Sequence, residues 1–595
     1  MRLRALALMA MLTAACAASA LAAPDPDKVL HSSFNAPETG YDPAKTSDVY
    51  SHGVMENIFE PLLTYDYVAR PAKLIPLIAT SMPEISADRL TYTFHIQKGI
   101  YFADDPVFKG KKRELTAADV VYGLKRLADP ATGSPSNYLV LGHFVGVDEL
   151  AEKAKNGKFD YDAPCEGIKA LDRYTLQLKL KTLYPALLYV LAMPHTSPVS
   201  REVMEAYGQN SLAHPVGTGP YILKEWKPGV KTTLVYNPNF RHVVFDFHPT
   251  PGDKAGEEVA REMNGKTMPQ IGRIEVQIFT EEQPMWLAFK SGQLDELYSI
   301  PQPLLRGVLN MDPKNPRRAA LKAEYRKAGL KISRVLDPEM TYWDFNMQDP
   351  VLGGFSKEKI ALRRAIAMSF DTDQTIRDIR RNNAVRMLYT IPEGVVGHNP
   401  NFRYQYEYNR ALSNALLDQF GYKIGPDGYR TTPDGKPISI DFVSDASAVG
   451  RQWNEYWQEA LDSIHLRVTF RPVTFNDLLK AMRSCTYGMV GAAWIADYPD
   501  GENFVMLNYS KNIGAENTAC YDSPRYDKLY LESQKLQDSP ERNHLYDEMN
   551  KVMMEDTPWL PGETRFRNRM MQPRVLGDEV HPIFQVSWRF MDIQK

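Results

Sequence analysis

Cysteine is scarce in this chain, four residues in 595, and none of the four stands in a Cys-x-x-Cys pair or beside a His-x-x-His pair, so a structural zinc site has no ligand set. An excess of positive charge is also missing. Lys plus Arg number 70 against 73 Asp plus Glu, for a net charge of -3, and no stretch is basic enough to track phosphates, which argues against a nucleic-acid partner. Beyond the N-terminal segment no run of apolar residues is long enough to span a bilayer. Catalytic signatures are absent as well: there is no Gly-x-Ser-x-Gly elbow, no His-Glu-x-x-His and no repeated-Asp calcium loop. The twelve His are scattered.

What is present begins with a leader. Arg2 and Arg4 form a charged start, Ala5 to Ala15 is apolar, and small residues follow through Ala23, the pattern of an export signal with cleavage after Ala22. A competing reading takes Thr13-Ala14-Ala15-Cys16 as a lipoprotein box with Cys16 acylated; it lacks the usual Leu or Val at position 13. Loss of the leader takes the net charge to about -5. Export places Cys165, Cys485 and Cys520 in an oxidising compartment where one pair can form. Cys485 and Cys520 are the candidates, with about 3 to 4 kcal/mol to gain on the chain-entropy model. Three free, buried thiols are the alternative.

At 595 residues, 44% of them hydrophobic, the chain is long enough for three or four domains, each with its own core. Val54, Ile58 and Leu62 recur at helical spacing, whereas Leu90 to Ile96 and Arg173 to Leu180 alternate as half-buried strands. Thr116-Ala-Ala-Asp119 reads as a capping box opening a helix to Leu127. Helices are also expected over 357–370, stopped by Asp371, over 410–420, and over 452–464, where Trp453, Tyr456, Trp457 and Leu461 share a face; strands are expected at 273–279, 342–346, 438–443 and 466–470. Residues 240–272 read as a solvated excursion. This mixture indicates α/β layers with crossover connections. The glycine-rich Pro215-Val-Gly-Thr-Gly-Pro-Tyr221 lacks the endings of phosphate-binding loops, so its glycines are assigned to backbone geometry.

The most pointed local feature is Trp494-Ile-Ala-Asp497-Tyr-Pro-Asp500, an acidic turn directly after the apolar run Met489 to Ala496. A carboxylate at the mouth of a buried strand, beside a Trp, suits capture of a ligand's ammonium group. Two other readings stand beside it: Asp497 and Asp500 as ordinary turn residues, and the pair as acid and base of a secreted hydrolase. With 11% aromatic residues and no further catalytic partner in view, the composition favours recognition without turnover.

Several segments then match, in order, a known pattern: Tyr41-Asp-Pro43, Glu60-Pro-Leu-Leu63, Thr91 to Gly99, Leu115 to Tyr122, His214 to Tyr221, Phe345-Asn346, Leu362 to Asp371, Asp497-Tyr-Pro-Asp500 and Tyr521 to Leu529. With the leader, they resemble the extracytoplasmic solute-binding proteins of ABC importers, in the family of oligopeptide- and dipeptide-binding proteins. The resemblance implies an α/β, two-lobed periplasmic-binding-protein fold (type II, cluster C) with an extra domain: residues 1–22 as signal peptide, 23–61, 181–330 and 560–595 as a discontinuous lobe I, 62–180 as inserted domain II, and 331–559 as lobe III. It also implies a periplasmic monomer with no catalysis, cofactor or metal, which captures a peptide between its lobes and hands it to membrane permease subunits. A non-peptide cargo such as an oligosaccharide, an opine-like compound, a metal chelate or haem is the alternative.

By the same resemblance Asp497 pairs with a peptide's α-ammonium, Ile495 bonds it through the backbone, Trp494 walls the pocket, and Ser47-Asp48-Val49 lines the opposite edge. Tyr498 and Asn346 complete the expected lining. Where relatives carry an Arg, this chain has Gly491, which leaves the ligand's carboxylate end without its partner; Arg451, Arg386 and His52 are the candidates for that place.

Overall fold

The computed structural model describes residues 24–70, 72–312, 315–404 and 407–595. The expected signal peptide and Cys16 lie outside the described residues. Three sheets organise the chain. In the first, Asp25–Phe34 runs parallel to Ile271–Ile278, which pairs antiparallel with Lys231–Tyr236 and through it with Tyr221–Lys227. A second, wholly antiparallel sheet orders Glu84–Ile85, Thr91–His95, Thr175–Lys179 and Ile168–Ala170. The period-2 alternation read in Thr91–His95 and Thr175–Lys179 is the pattern of this sheet: Tyr92, Phe94, Leu176 and Leu178 point into the core while their neighbours face outward.

The third sheet has eight strands and is built around Trp559–Met571. One half of this strand pairs with Lys331–Leu336 and Glu296–Leu297; the other half pairs with Glu339–Phe345, which passes the sheet on to Met489–Ile495, Ser439–Asp445 and Arg467–Val473. A single strand therefore belongs to both halves of the molecule. Its alternate residues Arg565, Arg567 and Arg569 are paired with Glu339 at 2.8 Å, Asp337 at 2.9 Å and Asp578 at 2.7 Å, and Glu563 with Arg380 at 2.7 Å. Each buried charge thus has an opposite charge beside it, the condition for keeping ions inside a fold.

Local chemistry explains the helices. Thr116 and Asp119 close the capping box that opens Ala117–Ala128. The first helix, Val49–Ile58, starts at Asp48, whose carboxylate accepts from Tyr50 N and Ser51 N, and ends at Phe59. Leu62, placed by spacing on that helix, lies beyond it because Pro61 pushes Glu60 out of the helical region. Asp371 does more than stop Lys357–Ser369: it caps Thr372–Asp378 through Gln374 N. In Ala448–Asp462 Trp457 and Leu461 are fully buried, with Trp453 and Tyr456 packed at the edge of that cluster. The excursion at 240–272 is more ordered than its composition implied, since it folds a helix, Lys254–Met263, whose Val259 and Met263 reach the core.

Gly217 and Gly219 are close-approach residues. A Cβ on Gly217 would stand 2.0 Å from the Ile58 carbonyl oxygen, and one on Gly219 would stand 2.7 Å from the oxygens of Asn57 and Ile58. They let this turn lie against the end of the first helix.

Cys485 and Cys520 form a disulfide with Cα atoms 6.2 Å apart, and Cys165 is a buried free thiol. The bridge ties the end of helix Phe475–Arg483 to the loop before Pro524–Ser533. Closing a loop of this size contributes about 4 kcal/mol on the chain-entropy model. The double variant Cys485→Ser/Cys520→Ser should unfold at lower denaturant than the oxidised protein, and reductant should lower the wild-type midpoint while leaving the variant's unchanged. Chemical denaturation with and without dithiothreitol measures both.

Candidate ligand-binding site

The site grows from strand Met489–Ile495. On one side it pairs along its whole length with Glu339–Phe345; on the other, Ser439–Asp445 pairs with Met489 and Val490 alone. From Gly491 to Ile495 one strand edge is left without a strand partner among the described residues. At its end Ala496 N–H bonds the Pro338 carbonyl, and the chain turns into Asp497.

Asn503 sets the turn. Its carbonyl oxygen accepts from Asp497 N at 2.9 Å and from the Trp494 indole at 3.1 Å, while its amide donates to Asp497 Oδ2 at 3.1 Å. Trp494 and Asp497 are thus held by one buried side chain. Among the described residues no cationic nitrogen lies within salt-bridge distance of Asp497. Burial raises its carboxyl above the usual range, and the positive charge of His52 and the Asn503 bond offset this in part. Its negative charge, with burial, in turn helps hold the protons on Tyr65 and Tyr138. Beside it is a small cavity of about 20 Å³, lined by His52, Glu56, Tyr65, Met193 and Phe584 among others. That is room for one water. The Tyr65 hydroxyl has no hydrogen-bond partner among the described residues.

Across from the strand edge, Ser47 and Val49 lie half-buried at the start of the first helix. The Arg483 guanidinium donates to Ser47 Oγ and comes within 3.8 Å of Glu516. Tyr50 meets Phe475 edge-on at 5.8 Å, and Tyr189 stacks parallel to Tyr498 at 6.2 Å. The two walls touch, so the cleft is closed.

Of the expected residues, His52 and Asp497 border one cavity, Trp494 shares Asn503 with Asp497, and Ser47 receives Arg483, while Ile495 ends its strand and Val49 opens its helix, both half-buried; His52 is 3.3 Å from Glu56. Tyr498 is fully buried with its hydroxyl on Glu502, which makes it a support for the turn and removes it from the lining. Asn346 needs the same correction. Its amide donates to the Cys485 and Tyr487 carbonyls at 2.9 and 2.7 Å and accepts from Gln348 N, leaving nothing for a ligand. Arg451 is exposed at the start of its helix, donating to the Ala446 carbonyl, and Arg386 pairs with Asp373 at 3.2 Å. Neither borders the cavity beside Asp497. At Gly491 a Cβ would meet the Trp343 indole at 3.3 Å, so Trp343 stands where a side chain from this position would begin.

Asp500 parts from Asp497. It is 4% exposed, caps Glu502 N at 2.9 Å and pairs with Arg542 at 2.8 Å. A carboxylate so engaged cannot serve as an acid or base toward a substrate. Sequence reading missed Asn503, Tyr65, Tyr138, Arg483 and Glu516. All but Asn503 come from segments remote from the motif, so no spacing pattern could have found them.

Two α/β halves joined through a shared strand, with a cleft that presents an open strand edge and, among the described residues, a carboxylate without a cation at salt-bridge distance, have the architecture of a protein that binds a small ligand. The chain belongs to the bacterial extracellular solute-binding proteins of family 5, whose middle-region model matches residues 73–516. It is 25% identical over 550 residues to the periplasmic oligopeptide-binding protein OppA of Escherichia coli, covering 90% of this chain and 87% of that one. It is 23% identical to di/tripeptide-binding protein 2 of Pseudomonas aeruginosa, with 94% of each chain covered. Among solved structures, the periplasmic binding protein DppA from Helicobacter pylori, in complex with peptide STSA, superposes with a TM-score of 0.75 at 21% identity over 95% of this chain and 98% of that one. The two-lobed fold is therefore that of this family, whose members are binding components of importers and not enzymes. No helix among the described residues is long and apolar enough to cross a membrane.

A carboxyl raised by burial binds protons more readily folded than unfolded, so its ionisation costs stability as pH rises above its unfolded value, until it is ionised in both states. Asp497→Asn should therefore raise the thermal midpoint of the ligand-free protein at neutral pH, and the gain should shrink as the pH falls through the carboxylate range. Differential scanning calorimetry between pH 4 and 7 checks the sign.

Proposed function

We propose that this chain is the periplasmic substrate-binding subunit of an ABC importer and that it captures a peptide between its lobes. The observation that carries this reading is the open edge Gly491–Ile495 ending in Asp497, which has no cation of its own among the described residues. An extended peptide adds to such an edge by main-chain bonds, which are indifferent to side-chain identity, and its ammonium supplies the missing charge. The relatives named above, an oligopeptide-binding and a di/tripeptide-binding protein, agree with it.

In this reading residues 23–61, 181–330 and 560–595 form lobe I, 62–180 the inserted domain and 331–559 lobe III. The lobes swing about the strands that pass between them, a hinge closure around ligand. Asp497 anchors the ammonium, Trp494 forms a wall, Ile495 bonds through its backbone, and Ser47 and Val49 close the other side. The protein acts as an exported monomer and presents its cargo to membrane permease subunits.

Removing one partner of a buried charge pair costs about 2 to 5 kcal/mol, or roughly 30-fold to several thousand-fold in affinity. Asp497→Ala should lose that much toward a peptide identified by mass spectrometry of ligand released from the purified protein, and N-acetylation of the peptide should weaken wild-type binding comparably. Unchanged affinities in isothermal titration calorimetry would remove Asp497 from the site, and release of a sugar or chelate in place of a peptide would change the cargo.

A further inference from the structure

The cleft holds a second carboxylate that this reading leaves unused. Glu516 lies on the loop just before Cys520, its side chain 7% exposed. The Ser47 hydroxyl lies within hydrogen-bonding reach of the carboxylate, but Oε1 has no hydrogen-bond donor. The cation beside it, Arg483, is 3.8 Å from Oε1 and gives its hydrogen bond to Ser47 instead.

The loop cannot easily carry Glu516 elsewhere. Asn517 donates to the Tyr509 and Tyr521 carbonyls at 3.0 and 2.8 Å, Thr518 donates to Asp344 at 2.7 Å, and the Cys485–Cys520 bridge fixes the end. Glu516 and Asp497 are near enough for their negative charges to act on each other and on the Tyr138 hydroxyl. Among the described residues the positive groups acting on the two carboxylates are His52, which is itself paired with Glu56 and acts on Asp497, and Arg483, which stands beside Glu516. Burial pushes the Glu516 carboxyl up to about 7, with Arg483 and Ser47 offsetting only part of the cost. A buried acceptor left without a donor is expensive unless something fills it.

We propose that Glu516 is a second cation-binding group of the cleft, receiving an ammonium or guanidinium on a ligand side chain close to the α-ammonium, so that peptides with lysine, ornithine or arginine in their first or second position are favoured over neutral ones. The proposal rests on the peptide-binding reading above and names the substrate class of that site. Ligand nitrogen takes the open Oε1, while Arg483 keeps its bond to Ser47. A charge-assisted hydrogen bond of this kind corresponds to about tenfold or more in affinity.

The test is calorimetric titration of the full protein with Lys-Ala-Ala, Ala-Lys-Ala and the same tripeptides carrying norleucine in place of lysine, which keeps the chain length and removes the charge. One of the lysine peptides should bind about tenfold tighter than its norleucine counterpart. In Glu516→Gln that ratio should fall toward one, whereas Asp497→Asn should weaken all the peptides and keep the ratio. Equal affinities for lysine and norleucine peptides in the wild type overturn the proposal without needing any variant. It is also overturned if Glu516→Gln keeps the lysine preference, or lowers every affinity by the same factor, since the side chain would then serve closure alone. Failure of every tripeptide to bind the wild type would instead remove the peptide-binding reading, and this proposal with it.

Discussion

Everything in the cleft depends on one strand being shared. Trp559–Met571 is hydrogen-bonded at one end to Lys331–Leu336 and at the other to Glu339–Phe345, so the two halves cannot separate without a bend in a continuous backbone. Along it Arg567 and Arg569 are buried against Asp337 and Asp578 and Glu563 against Arg380, while Arg565 is half-buried beside Glu339. Such pairs tolerate little rearrangement, because breaking one leaves a buried charge alone. On the proposed reading, motion between the halves is rotation about this seam, and the contacts of Ser47 with Arg483 and of Tyr50 with Phe475 mark its closed end.

The opposite logic governs Asp497. Along the seam each charge is matched; at the mouth of the Met489–Ile495 strand one is left without a cation, desolvated and held rigidly by Asn503. A fold gains nothing from this arrangement in the absence of ligand. On the proposed reading its cost to the empty protein is the counterpart of its use, since an incoming ammonium would recover what the fold gave up and need no rearrangement of the acceptor.

Much of the local structure was legible because local rules determine it. The Thr116–Asp119 capping box, the alternation in Thr91–His95 and the apolar run ending at Asp497 each depend on neighbours a few residues away. Leu62 shows where periodicity fails: spacing placed it on a helix that Pro61 had already ended. Asn346 and Tyr498 show a different failure, in which a residue lies in the right segment but its polar atoms are consumed by the scaffold. The acidic turn at Asp497 was legible as a feature, whereas Tyr138, Arg483 and Glu516 come near it only through the tertiary fold. Contacts such as Ser47 with Arg483 span more than four hundred positions of chain, and no pattern within one segment encodes them.

The bare edge of the Met489–Ile495 strand has a further consequence. A row of unsatisfied backbone donors and acceptors is a template for any extended chain, including a second copy of the same protein. With the walls in contact, as they are here, most of that template is half-buried, though Ala493 remains exposed. On the proposed reading, each opening to admit cargo would uncover more of a place where two molecules could zip together, so closure would guard the protein against self-association as well as retain what it has caught.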